Sequence, residues 1–367
     1  MFYLIGTDEA GYGPNFGPLA VSATLWRVEN DALSPDTLYE VLAPEIVRTG
    51  TGRKKKDGEI FIPIADSKKI HRHETLAPLE TAIFAAISAL GKISSPVNSD
   101  DLCGILCGEK YRNQRGKIPW HTPETKLILP KDLAWEKVLE LTSALTECMK
   151  RSRVTLCGIR SDLVFPERFN AGIEECGSKG VLLSDTTMKL IVHCWNQVRE
   201  MEEKRLHSVS PVSAALSASS ASSVNSFSDA CASFENKELP EVRVFCDKLG
   251  GRNFYLPILM EFFPNLPFCV VQEGREFSEY VHYGEYAALR IRFQAKGENI
   301  LPVALASMVS KYLREISMER FNIWWRFLLP EIRPTAGYPL DAKRFREEIT
   351  PKMEELKLNW SQFWRNR

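Results

Sequence analysis

Four acidic residues stand where acids are unexpected. Asp8 and Glu9 close the apolar run Phe2 to Thr7, Asp247 follows Val-Arg-Val-Phe-Cys, and Glu315 interrupts an apolar helical segment. Carboxylates ending two buried strands raise each other's proton affinity, and burial adds to that cost. A divalent cation relieves both. Magnesium takes oxygen ligands, keeps waters and binds through a few carboxylates plus phosphate. Two such ions about 4 Å apart suit in-line attack on a phosphodiester, one activating water and the other stabilising the leaving 3′ oxygen. The bland alternative makes Asp8 a turn former, Asp247 the start of a Gly-Gly loop and Glu315 a solvated helix residue.

The elements that must position these acids can be placed coarsely. Phe2 to Thr7 and Leu19 to Val28 read as strands of a hairpin around Gly11 to Gly17. Val154 to Ile159 and Val242 to Cys246 read as further strands, the latter central because four of its five residues are apolar or thiol. Apolar spacing of three and four predicts helices at His73 to Leu90, Asp132 to Met149, Ser184 to Leu206 (with Ser184 or Asp185 as cap), Pro302 to Phe321 and Ala342 to Leu356. In the fourth of these, Val303, Ala306, Val309, Leu313 and Ile316 share one arc. Ser307, Lys311 and Glu315 form a stripe nearly opposite. Strands mixed with helices give an α/β or α+β domain.

Composition sets the bounds. The 367 residues carry 47 basic and 47 acidic side chains with 44% hydrophobic residues, a globular balance without the charge excess of a nucleic-acid coat. Any basic groove is therefore local, and Arg48 to Arg72 supplies one candidate with eight Lys/Arg against three Asp/Glu. No run approaches a membrane span, and the start of the chain has no leader pattern, so the protein reads as soluble. Nine scattered cysteines suggest reduced thiols in a cytoplasm. The pair Cys103 and Cys107 lacks a second ligand pair, and His71-Arg72-His73 reads as a solvated helix start. Serine and alanine dominate His207 to Glu235, a flexible insertion by composition. Trp324, Trp325, Trp360 and Trp364 read as core or C-terminal packing.

One resemblance joins these pieces. Gly6-Thr7-Asp8-Glu9-Ala10-Gly11-Tyr12-Gly13-Pro14, continued by Gly17-Pro18 and an apolar strand, resembles the D-E-A-G-R-G-P opening of type 2 ribonucleases H, the ribonuclease HII/HIII family. Asp66-Ser67-Lys68-Lys69 resembles its D-S-K-K segment. Val244 to Asp247 is similar to the strand delivering its third catalytic aspartate, and Tyr255 to Pro264 to the helix after it. Ala304 to Glu315 resembles A-A-A-S-I-x-A-K-V-x-R-D, with the glutamate seen in the HIII branch. Ala336-Gly337-Tyr338-Pro339-Leu340-Asp341 resembles G-S-G-Y-P-S-D. The likeness omits Glu29 to Ile62, Asn98 to Thr122, the serine-rich insertion and about Glu273 to Gln294.

The resemblance implies an α/β, RNase H-like fold: a central mixed five-stranded sheet flanked by helices, with large loop insertions. It implies one catalytic domain over 1–350, interrupted at 207–235, and a helical tail over 351–367. It further implies an endonuclease acting on the RNA strand of an RNA/DNA hybrid duplex, with Asp8, Glu9, Asp247 and Glu315 holding Mg²⁺ or Mn²⁺. Ser67, Lys68, Lys69 and Lys311 would meet substrate phosphate, extended by the loop Arg53 to Lys56. Backbone amides of Gly11, Tyr12 and Gly13 would approach the ribose, whose 2′-hydroxyl distinguishes RNA from DNA. Tyr338 would pack beside the junction sugar. Tyr12 replaces the family arginine and cannot supply a guanidinium fork, which favours longer RNA tracts over single ribonucleotides. A catalytically silent nucleic-acid-binding relative is the alternative.

Overall fold

Side chains alternating along one strand build the centre of the molecule. In a computed structural model, which describes residues 1–48, 60–70, 75–209, 240–249, 251–284, 286–295 and 297–366, the main sheet holds seven strands. They are β1 (Phe2–Ala10), β2 (Leu19–Val28), β3 (Val154–Val164), β4 (Glu241–Asp247), β5 (Cys269–Gln272), β6 (Phe277–Tyr283) and β7 (Ala288–Gln294). Their spatial order is β3-β2-β1-β4-β7-β6-β5. β1 runs parallel to β4 and β4 to β7, whereas the β1–β2, β2–β3, β7–β6 and β6–β5 pairs are antiparallel. The sheet is mixed, as expected, but it has seven strands and not five.

The sequence reading located four of these strands; β5, β6 and β7 are the three it did not. The alternation Leu289-Arg290-Ile291-Arg292-Phe293 is a strand signal of period two. Leu289, Ile291 and Phe293 enter the core, while Arg290 and Arg292 reach across to Glu279 of β6 at 2.7 and 2.5 Å. These cross-strand ion pairs tie β6 to β7.

The longer helices are α1 (Ala77–Ala89), α2 (Ser99–Cys107), α3 (Glu109–Arg115), α4 (Trp135–Ser152), α5 (Pro166–Cys176), α6 (Lys179–Val209), α7 (Leu256–Phe262), α8 (Leu301–Leu328) and α9 (Pro339–Glu355). Phe2 and Leu4 of β1 join a core with α1, α4, α8 and α9. Tyr3 and Ile5 join a second core with α5, α6 and α7. The sheet is thus a layer between two helical layers. Helix α8 lies directly on β1, and Gly6 permits this, since a Cβ there would stand 2.3 Å from the backbone of Pro302 and Val303.

Several expected boundaries move. β1 continues through Ala10, so Asp8 and Glu9 lie within the strand and not beyond its end. β3 extends to Val164. α6 starts at Lys179, which puts Ser184 inside it; the Ser184 hydroxyl donates to the Gly180 carbonyl and caps nothing. The predicted insertion lies outside the described residues except for 207–209, which continue α6. Arg53 to Lys56 and His71 to His73 also lie outside them. Trp325 is fully buried, and Trp324, Trp360 and Trp364 pack against the same core. Among the described residues the cysteines are free thiols, and burial pushes the Cys103 thiol up to about 12. No described helix is long and apolar enough to cross a membrane.

Candidate functional site

Strand periodicity decides which acids share a face. Phe2 and Leu4 point to the α8 side and Gly6 lies under α8, so Asp8 belongs to that face and Glu9 to the other. In β4, Phe245 points to the α8 side and Cys246 away from it, which assigns Asp247 to the same face as Asp8. The last registered pair of the two parallel strands is Thr7 with Cys246. Asp8 and Asp247 are therefore the next residues on adjacent strands, whose spacing is about 4.8 Å. Burial raises the Cys246 thiol, and the charges of Asp247, Glu9 and Asp8 raise it further, so all three carboxylates crowd this end of the sheet.

Helix α8 brings the fourth acid. The Ser310 hydroxyl donates to the Asp8 carbonyl at 3.0 Å. One turn on, Arg314 passes under the β1–β2 turn, where a Cβ on Gly11 would meet its Cδ at 2.8 Å. Glu315 follows directly and is half-buried, and Lys311 Nζ donates to its Oε1 at 2.5 Å. The stripe expected opposite the apolar arc is present in full. Its first member, Ser307, donates to the Ser67 hydroxyl at 3.0 Å and so anchors the single helical turn Ser67–Ile70. Lys68 and Lys69 stand exposed on that turn.

The turns flanking the acids are fixed by two buried arginines that the sequence analysis missed. Arg314 donates to the carbonyls of Pro18 and Ala336, both at 2.9 Å, and more weakly to Phe16. This one side chain joins the Gly11–Pro18 turn to the segment before Tyr338, which caps α9 and is itself exposed. Arg365 donates to the Pro14 carbonyl and lies over the Phe169 ring. Burial, with Arg314's charge in second place, lowers the Arg365 guanidinium to about 9. Burial likewise lowers Arg314, opposed by Glu315 and Tyr338. The only signal available beforehand was Arg314 itself, a charge beside Leu313 in an apolar helix. Gly11 has φ +86°, which only glycine adopts freely, whereas Gly13 is open on every side.

Tyr12 is partly exposed, with Lys179 Nζ 4.6 Å above its ring. Burial raises its hydroxyl pKa and Glu9 adds to the rise. In the row through Asp8, Ser22 and Ser161 are hydrogen-bonded at 2.8 Å.

The donor set is all oxygen, which suits a hard cation such as Mg²⁺ or Mn²⁺. The side chains as they stand are not closed around one. Among the described residues no three His, Cys, Asp or Glu are gathered tightly enough to hold a metal ion.

No protein-family model matches the chain, and no curated protein sequence matches it. Among solved structures it is similar to RNase HII of Archaeoglobus fulgidus, seen in a complex with PCNA, at 14% identity, TM-score 0.37, and coverage of 100% of this chain and 95% of that one. It is similar to ribonuclease H2 of Pyrococcus horikoshii at 12% identity and TM-score 0.36, covering 99% and 92% of the two chains. A Bst-RNase HIII in complex with Mn²⁺ matches at 12% identity and TM-score 0.31, over 99% of this chain and 66% of that one. Superpositions this loose carry no argument about residue roles.

Proposed function

We propose that the chain is a divalent-metal-dependent endonuclease that hydrolyses the RNA strand of RNA/DNA hybrids. The observation that carries this reading is the placement of Asp8 and Asp247 side by side, on one face, at the ends of adjacent parallel strands. Two such carboxylates repel unless a proton or a cation joins them, and a divalent cation relieves the repulsion for all of the acids at once. Asp8, Glu9, Asp247 and Glu315 would hold Mg²⁺ or Mn²⁺, which supplies an activated water and charge stabilisation at the leaving oxygen. The chain's own part is to orient the duplex. Lys68 and Lys69 stand exposed on a turn that Ser67 fixes to α8, so they meet phosphate as point charges. Gly11, Tyr12 and Gly13 face the ribose, and exposed Tyr338 packs beside it. Tyr12 offers an aromatic face and one hydroxyl in place of a fork, which suits longer RNA tracts over single ribonucleotides.

The test is direct. Asp8→Asn is expected to abolish Mg²⁺-dependent cutting of a labelled hybrid while leaving hybrid binding nearly intact. Equal nicking by variant and wild type refutes the assignment. One observation favours a second reading, a hybrid-binding protein without turnover: Lys311 already occupies Glu315. Hybrid binding by wild type with no cutting in either Mg²⁺ or Mn²⁺ would select it.

A further inference from the structure

At the outer edge of the sheet, a cavity of about 610 Å³ opens between α3, the start of α5 and α6. Its wall carries Lys110, Lys117, Arg168 and Lys189 against one carboxylate, Glu167. Behind Arg168 and Lys110 lies Asp162 of β3, whose side chain is only 3% exposed. Arg168 grips it through both terminal nitrogens, at 2.5 and 2.7 Å, and Lys110 approaches at 3.3 Å. One carboxylate thus serves two cations. Burial works to raise the Asp162 carboxyl, yet the bonds and charge of Arg168 and the charge of Lys110 hold it below its usual range. Lys189 is paired with Asp185 at 2.7 Å. Even with Asp162 and Asp185 counted, cations outnumber carboxylates here, in a chain of zero net charge.

Donors remain for a ligand. Arg168 spends two of five N–H groups on Asp162, and an ammonium has three. The first turn of α5, which starts beside the cavity, has no side-chain cap, and its dipole adds positive potential. Gln114 borders the cavity but is held in the wall, its amide donating to the Leu163 carbonyl at 2.8 Å and its Oε1 screened from solvent. Phe165 and Ile118 supply an apolar wall. The combination calls for an oxyanion. We propose that this cavity binds the phosphate group of a phosphate ester, with the oxyanion on Arg168, Lys110 and Lys117.

Position suggests one source for it. Glu9 registers with Val21 and Val21 with Asp162, so Asp162, behind the cavity, lies two strand spacings, about 10 Å, from Glu9 on the sheet face opposite the Asp8 side chain. An RNA strand seated at Asp8 would reach the cavity only by passing over the end of the sheet at Glu9; this part alone rests on the nuclease reading. A free phosphate ester presents the same chemistry.

Titration of the full chain with ribose 5-phosphate, without added metal, tests the site. Wild type is expected to bind saturably in the millimolar range, and Lys110→Met/Lys117→Met to bind about ten-fold more weakly or not at all. Asp8→Asn should leave this titration unchanged even where it abolishes cutting, which separates failure of this site from failure of the nuclease. Absence of saturable binding to wild type, or equal binding by the lysine double variant, overturns the proposal. With EDTA present, a loss of hybrid affinity in the double variant identifies the RNA strand as the source, and unchanged hybrid affinity identifies a free phosphate ester.

Discussion

The hydroxyl of Ser310 donates to the main-chain carbonyl of Asp8 at 3.0 Å, joining residues 302 positions apart. Ser310 is fully buried and Asp8 partly so, which limits competition from water. It pins α8 to β1 at the residue whose side chain heads the acidic cluster, little more than one turn before Glu315. Ser310→Ala is expected to cost about 1 kcal/mol of stability in urea unfolding, the usual worth of one buried neutral hydrogen bond. The same variant should lose more Mg²⁺-dependent activity than stability explains at a temperature where it is fully folded. Unchanged turnover would mean that the bond serves folding alone.

Much of this arrangement was legible beforehand. Leu19–Val28 was bounded by its alternation and neighbouring glycines, and the Ser307-Lys311-Glu315 stripe followed from helical geometry. What stayed hidden depends on distant partners. Arg365 is held by the Pro14 carbonyl and Arg314 by Ala336, and no local pattern announces a buried guanidinium satisfied by carbonyls. Asp162 lay beyond the strand expected at Val154 to Ile159, and its ion pairs depend on Arg168 and Lys110 arriving from two helices. The strands β6 and β7 are a different case, since the alternation in Ala288–Gln294 stands in the sequence with Gly284 and Gly297 on either side of it and was legible but passed over.

Two glycines in the same motif separate architecture from recognition. A Cβ on Gly6 meets helix backbone at 2.3 Å, which only a shift of α8 can relieve. Gly6→Ala is therefore expected to destabilise by about 3 kcal/mol or more. Nothing lies within 4 Å of a Cβ on Gly13, so Gly13→Ala should change stability by less than about 0.5 kcal/mol. If substrate backbone approaches at Gly13, that variant should nonetheless bind the hybrid more weakly. Thermal unfolding and a filter-binding assay on both variants decide it.

The Lys311–Glu315 pair competes with any cation at Glu315. Both side chains are partly exposed, at 22% and 29%, so the pair is worth about 1 kcal/mol at most. Lys311→Met is expected to tighten Mn²⁺ binding about five-fold in calorimetric titration. It should also weaken binding of the hybrid, because a cation near the phosphates is lost. Unchanged Mn²⁺ affinity would place the metal away from Glu315.

His121 gives the fold a pH dependence of known sign. Tyr111 donates its hydroxyl hydrogen to Asp100 Oδ1 at 2.7 Å, so its oxygen accepts from His121 Nδ1 at 3.2 Å. That assigns the proton to Nδ1 and leaves Nε2 bare, shielded and without a hydrogen-bond partner, although part of the ring reaches the surface. Burial lowers the imidazole from 6.5 to about 3, with Arg320 pushing the same way and Asp100 opposing. The folded state thus binds fewer protons than the unfolded chain between these values. Stability is complete above about pH 6.5 and falls as pH drops toward 3, with an upper slope of about 1.4 kcal/mol per pH unit that the ring's partial exposure reduces. Asp100, also held below its usual range despite burial, by Arg320 and Tyr111, adds its loss only at the acid end of this window. Urea midpoints for wild type and His121→Gln between pH 7.5 and 5 are expected to diverge as pH falls, with wild type losing more. Parallel midpoints would show that the imidazole charges without cost and that its pocket opens to water.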